Sequence, residues 1–286
     1  MNYSAVNHTE LRSRLVGHLE QVVGDRNPFL ASAKHYFVQQ YLRQELSRWG
    51  EVQADRFDYR GQPHINWVIN LPGRDTQRSP ILVGAHYDSV AGSPGADDNA
   101  TGVAVLLELA RAFASEPGQS PLRLVAFDLE ELGFLGSRHY AETLRDRGDP
   151  ISLMISLEML GYCCHQPHSQ TYPPGLDRLY PNCGNYIAQI GPWQSIPTMV
   201  RLWWGFRAAG LRSQWLPVVN GGRSVPDSRR SDHVPFWDLG YPAILVTDTA
   251  DLRNPHYHQA TDTLDTLDLD FLTGVCQGLI YGLRGL

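Results

Sequence analysis

Lysine is almost missing from this chain: Lys34 is the only one, and the other basic residues are arginines. With a net charge of -6, the basic footprint that nucleic-acid binding needs is absent. Also absent is any apolar run of the roughly 18 residues that a membrane span requires, so no membrane partner is expected. The opening MNYSAVNHTELRSRLVGHLEQ has no apolar core of a secretory signal. The expected location is therefore cytoplasmic; a secreted form whose signal has been trimmed is equally compatible. Cysteine is sparse, with Cys163, Cys164, Cys183 and Cys276. The adjacent pair is not a zinc-ribbon spacing. A disulfide from Cys163 or Cys164 to Cys183 is open, but free thiols suit the expected compartment better. Repeats, low-complexity tracts and linkers are missing too, so residues 1–286 read as one domain. The sequence fixes no oligomeric state.

Hydrophobic residues at 42% against 19% charged are enough for a sizeable core. Residues 8–24 and 30–49 predict two amphipathic helices, the second with Phe37, Tyr41, Leu42 and Leu46 on one face. Strands are expected at Asn66–Leu71, Ile81–Ala85, Leu122–Asp128 and Ile151–Leu157. Further strands are expected near Tyr186–Ile190 and Trp215–Val219, and at Ala243–Thr247. Helices are expected at Thr101–Ser115 and Gly133–Arg147, near Ser195–Gly210, at Ser231–Leu239 and from about Asp268. That alternation predicts an α/β fold with a largely parallel central sheet. The apolar runs at 81–85, 122–127 and 151–157 are continuous, which suits strands covered by helices on both faces. Residues 162–184 break the rhythm with four prolines and no periodicity, as a lid or binding loop would. Trp193, Trp203, Trp204, Phe206 and Trp215 read as core beneath the helix near 195–210, with a side-chain pocket as the other reading.

The chemistry gathers at strand ends, where α/β sheets place their sites. His86 and Asp88 follow ILVGA, and the aspartate can turn back to orient the imidazole of a metal ligand. Asp97 and Asp98 leave a glycine loop before a helix; one cap does not account for two adjacent acids. Glu130 and Glu131 follow LRLVAFD, where one can bind metal and the other act as general base. Glu158 ends ISLMISLE, and His256 and His258 follow the last strand. Each is weak alone. Together His86, Asp98, Glu131, Glu158 and His258 give two imidazoles and three carboxylates, a set that suits two zinc ions sharing one carboxylate.

The segments AHYDSVAGSPGADDNATG, FDLEELGFLGS, SLEMLGY, SDHVPFWDLGYPAILV and HYHQATDTLD resemble the M28 family of zinc peptidases, the bacterial co-catalytic aminopeptidases. The likeness runs from about Asn66 to the C-terminus. It implies the three-layer zinc-aminopeptidase fold, with His86 and His258 as metal histidines and Asp98 as the bridge. It also implies a cis peptide bond at Asp98–Asn99. Asp88 matches the acid that orients His86, Glu130 the general base, Glu131 a metal ligand, and Tyr257 a tyrosine that steadies the oxyanion in some members. Glu158 stands where aminopeptidases commonly carry aspartate, which points to a weaker second site on His86 and Glu158. His256 matches no ligand, and His233 of Ser231-Asp232-His233 reads as structural. The implied activity is release of N-terminal residues from peptides with a free N-terminus. A glutaminyl-peptide cyclotransferase, which uses one zinc on the same fold, is the alternative; a binding protein on a dead scaffold fits less well, because no ligand position is lost.

Overall fold

The computed structural model describes residues 7–286. Helix α1 (His8–Val22) starts at Asn7, whose side chain accepts the Glu10 N–H. Leu11, Leu15, Leu19 and Val22 form its buried stripe. Helix α2 (Ser32–Ser47) buries His35, Val38, Gln39, Leu42, Glu45 and Leu46. Leu42 and Leu46 are buried as expected, but the rest of the expected face is corrected: Phe37 is exposed and Tyr41 only partly covered. The helix turns polar residues inward because His35 and Gln39 have buried partners, described below.

The strands are β1 (Val52–Tyr59), β2 (Gln62–Leu71), β3 (Ile81–His86), β4 (Leu122–Phe127), β5 (Leu153–Glu158), β6 (Ile187–Pro192), β7 (Ser213–Val218) and β8 (Ala243–Thr247). They form one sheet in the order β1-β2-β4-β3-β5-β8-β6-β7. The centre, β4-β3-β5-β8, is parallel, as is β6 with β7; β1, β2 and the β6–β8 pair run antiparallel. The remaining helices are α3 (Gly102–Ser115), α4 (Leu135–Arg147), α5 (Ile196–Ala208), α6 (His233–Asp238) and α7 (Leu269–Arg284).

Alternate strand residues feed two cores, as a pleat of period two demands. Ile81, Val83 and Ala85 of β3 pack with α1, α2, α3, α5 and α7 on one face. Leu82 packs with Val125, Phe127, α4 and α6 on the other. The result is three layers, helix–sheet–helix. Among the described residues no helix is long and apolar enough to cross a membrane. Between β5 and β6 the chain has no regular element, and Cys163, Cys164, Cys183 and Cys276 are free thiols. The aromatic group divides: Phe206 is core, Trp193 and Trp204 are exposed, and Trp215 lines a cleft.

Candidate active site

The parallel strands all deliver their carboxyl ends to one edge. His86 is the last residue of β3 and Glu158 the last of β5; Glu130 and Glu131 follow β4, and His258 lies on the loop after β8. Asp98 sits in a wide turn, Ala96–Thr101, and its peptide bond to Asn99 is cis. The structure brings all five expected ligands together.

Asp98 is the centre of the arrangement. Its Oδ1 lies 3.3 Å from His86 Nε2, and its Oδ2 lies 3.1 Å from His258 Nε2. Glu158 Oε2 approaches His86 Nε2 at 3.5 Å, and Glu131 Oε2 approaches His258 Nε2 at 3.2 Å. Two sets of three potential ligands therefore share Asp98: His86–Asp98–Glu158 and Asp98–Glu131–His258. Glu130 belongs to neither of these two sets; its Oε2 lies 4.0 Å from His86 Nε2, and with His86 and Glu131 it forms a further possible set.

Asp88 ties the glutamate turn to the end of β3. Its Oδ1 lies 3.4 Å from His86 Nδ1, outside hydrogen-bond geometry. Its two oxygens accept the backbone N–H groups of Glu130 (3.1 Å) and Glu131 (3.2 Å), which clasps the glutamate turn to the end of β3. Ser231 donates to Glu158 Oε2 at 2.7 Å and fixes the longer glutamate side chain. Tyr257 stacks on His258, with ring centroids 3.7 Å apart. Burial and Asp98 raise its phenol, so it stays a neutral O–H donor.

Charge is out of balance here. Burial pushes Glu130 well above the ordinary carboxyl range, with Glu158 and Glu131 adding to it and His86 opposing. Burial and Asp98 push Glu131 up to about 7. Burial disfavours charge on the imidazoles, yet Glu158 and Glu130 hold His86 well above its usual value. Against the same burial, Asp98 and Glu131 take His258 up to about 10. A divalent cation bound among these groups would displace their protons. Both nitrogens of the buried His86 ring lack a hydrogen-bond partner, an expensive state unless one of them ligates a cation. Imidazole and carboxylate donors are the zinc-type set. The residues present fit a metal.

Several supporting residues carried no legible sequence signal. Arg26 is fully buried behind the site, and its guanidinium donates to the carbonyls of Val22, Gly24, Tyr87, Pro94, Gly95 and Asp98. Gly95 has φ +59, and a Cβ there would meet Asp98 O at 2.3 Å, so glycine is required. Asp262 accepts the N–H groups of Asp97 (2.9 Å) and Asp98 (3.1 Å). Asp128, two residues before Glu130, is held by His35 Nε2 (2.7 Å) and His64 Nδ1 (2.9 Å). His256 contacts Thr261 rather than a carboxylate, and His233 is buried with its Nε2 against Ser228 O.

An apolar cleft opens beside Glu158 and Tyr257. The 162–184 loop supplies Tyr172, Leu176 and Tyr180 to one wall; Trp215 and Leu216 line another.

The family model Peptidase family M28 matches residues 66–195 and 217–281, well over half the chain. The chain belongs to that family. As an M28 peptidase it is a hydrolase acting on peptide bonds. YfbL of Escherichia coli, an uncharacterized protein, is 41% identical over 251 residues, covering 82% of this chain and 75% of its own. Aminopeptidase YwaD of Bacillus subtilis is 33% identical over 196 residues, covering 67% of this chain but only 38% of its own. A leucine aminopeptidase precursor from Bacteroides thetaiotaomicron superposes with a TM-score of 0.72 at 17% identity, covering 100% of this chain and 99% of that one. Glutaminyl cyclase from the same organism gives 0.69 at 17%, covering 100% of both. At that identity the two structures show that the M28 peptidase shares a fold with both enzymes, and the fold does not choose between them.

Proposed function

We propose that this M28 peptidase is a zinc-dependent aminopeptidase with a two-metal site. The observation that carries this reading is Asp98, whose two oxygens each face a different imidazole with its own glutamate. One metal would be held by His86, Asp98 and Glu158, the other by Asp98, Glu131 and His258. Bound zinc would supply Lewis-acid polarisation of the scissile carbonyl and acidify its water. The chain's own groups do the rest. Glu130, a member of neither of these two ligand sets and raised by burial, takes the proton from the attacking water and returns it to the leaving amine. The Tyr257 phenol donates to the developing oxyanion. Asp88 holds the Glu130–Glu131 turn in register with the end of β3.

The surplus of carboxylates suits recognition of a free α-ammonium group. The apolar cleft fits a large side chain on the N-terminal residue, and the 162–184 loop narrows it against internal peptide segments. Kinship in sequence to an aminopeptidase supports this reading over the cyclase, whose likeness is one of fold. The test presents one peptide in free and N-acetylated forms and follows products by mass spectrometry. Loss of a single N-terminal residue from the free form alone is expected. Internal cleavage of both forms makes this an endopeptidase; pyroglutamate from a glutamine N-terminus, with nothing released but ammonia, makes it the cyclase.

A further inference from the structure

We propose a third metal site, separate from the two-metal site, formed by Cys163, His165 and Asp268 at the root of the 162–184 loop. One ligand atom from each lies within 4.8 Å of the others. Cys163 Sγ and His165 Nε2 are 3.6 Å apart. Tetrahedral zinc with bonds of about 2.3 Å to sulfur and about 2.0 Å to nitrogen sets those atoms roughly 3.5 Å apart. A thiolate, an imidazole and a carboxylate select a transition metal of the zinc or cobalt type over magnesium or calcium.

The backbone that carries the three ligands is held independently of any ion. Cys164 N–H donates to Gly184 O at 2.8 Å, pinning the backbone between Cys163 and His165. Asp268 N–H donates to Gly161 O at 2.9 Å. Asp268 Oδ1 caps α7 by accepting from Asp270 and Phe271, which leaves the other oxygen for a cation. A second observation concerns Asn185. Its carbonyl oxygen is buried without a donor, while its amide nitrogen lies 3.3 Å from His165 Nδ1. Turning that amide over lets the oxygen accept Nδ1–H. The ring is then fixed with the Nε2 lone pair on the Cys163 side, the tautomer of a metal ligand.

A thiol nucleophile is the competing use of a Cys–His–Asp trio. Burial first, and Asp268 beside it, push the Cys163 thiol up to about 11, the opposite of what a nucleophile needs. A cation reverses that: the thiol proton leaves as the metal–sulfur bond forms, one proton per ion, so affinity rises with pH. The bound ion would staple the start of the 162–184 loop to the first turn of α7.

Sulfur makes the site separately observable, because no cysteine belongs to the two-metal site. The full-length apoprotein is titrated with cobalt(II). A near-ultraviolet thiolate-to-cobalt absorption is expected, saturating one equivalent beyond the binding of Cys163→Ser. Cys163→Ser should lose the band and keep peptide hydrolysis. His165→Ala, at an exposed position, should fold normally and weaken the band's half-saturation by at least ~10-fold. Absence of the band in the natural chain overturns the proposal. So does a band that survives Cys163→Ser, or one that Cys164→Ser or Cys183→Ser removes instead.

Discussion

Arg26 gives the sharpest test of how the site is held. Its guanidinium serves six backbone carbonyls, all behind the loop that carries Asp98. Two of these keep another donor when Arg26 is removed: Pro94 O accepts Gly24 N–H, and Gly95 O accepts Ala100 N–H. Val22, Gly24, Tyr87 and Asp98 remain. A buried carbonyl left without a donor costs about 1–3 kcal/mol, so Arg26→Met should destabilise by more than about 4 kcal/mol. Relief of the buried charge offsets part of this: burial lowers the Arg26 pKa, although Asp98 and Asp88 oppose that. Lysine keeps the charge but has three N–H donors, so Arg26→Lys must lose at least one acceptor and should cost about 1–3 kcal/mol. The assay is urea unfolding of both variants, with bound zinc measured in parallel. Metal should fall in Arg26→Lys before the fold does, because Asp98 loses its anchor. Arg26→Met within about 1 kcal/mol of the natural chain, with full metal, would refute this account of the loop.

Three further outcomes are expected. Glu130→Gln should keep its metal and lose at least ~10²-fold in turnover, whereas Glu131→Gln should lose metal first; equal metal loss in both removes the division of labour. Graded chelator should strip the two ions unequally. Side-chain length pointed to the His86–Glu158 centre as the weaker, but Ser231 fixes Glu158 and 34% of the His258 side chain is accessible, so the His258 centre should empty first. One indistinguishable step, unchanged in Ser231→Ala, contradicts that order. Asp128→Asn should flatten the pH dependence of stability at both ends. His35 is raised in the folded protein: burial opposes its charge but Asp128 wins, so its contribution is present below the ordinary imidazole range and lost as pH rises through the folded value. Asp128 is held at about 2 by His35 and His64 against burial, so its contribution, about 2–3 kcal/mol, is lost as pH falls below about 4. Urea midpoints across pH check this, and an unaltered profile in Asp128→Asn rejects it.

Strand ends were legible because four buried parallel strands read as unbroken apolar runs, and catalytic residue types follow them directly. The β1–β2 hairpin was half seen. Its edge strand, VQADRFDY, carries no continuous apolar face, and its residues are only partly covered. The inward face of α2 is half legible: Leu42 and Leu46 are buried as their spacing predicts, but apolar spacing cannot show that His35 reaches Asp128 and Gln39 reaches the Tyr87 hydroxyl. Arg26 was illegible for a stronger reason: most of its partners are main-chain atoms 61 to 72 residues away, and main-chain atoms leave no pattern in a sequence.

Asp98 is gripped from both directions along the chain. Arg26 holds its carbonyl from 72 residues upstream, and Asp262 holds its N–H from 164 residues downstream. His258, which faces its carboxylate, also comes late. A ribosome-bound chain that stops short of residue 262 can pair its central strands, but it cannot set this aspartate between two imidazoles. The centre therefore forms only once the late segment carrying His258 and Asp262 has docked on the strand ends.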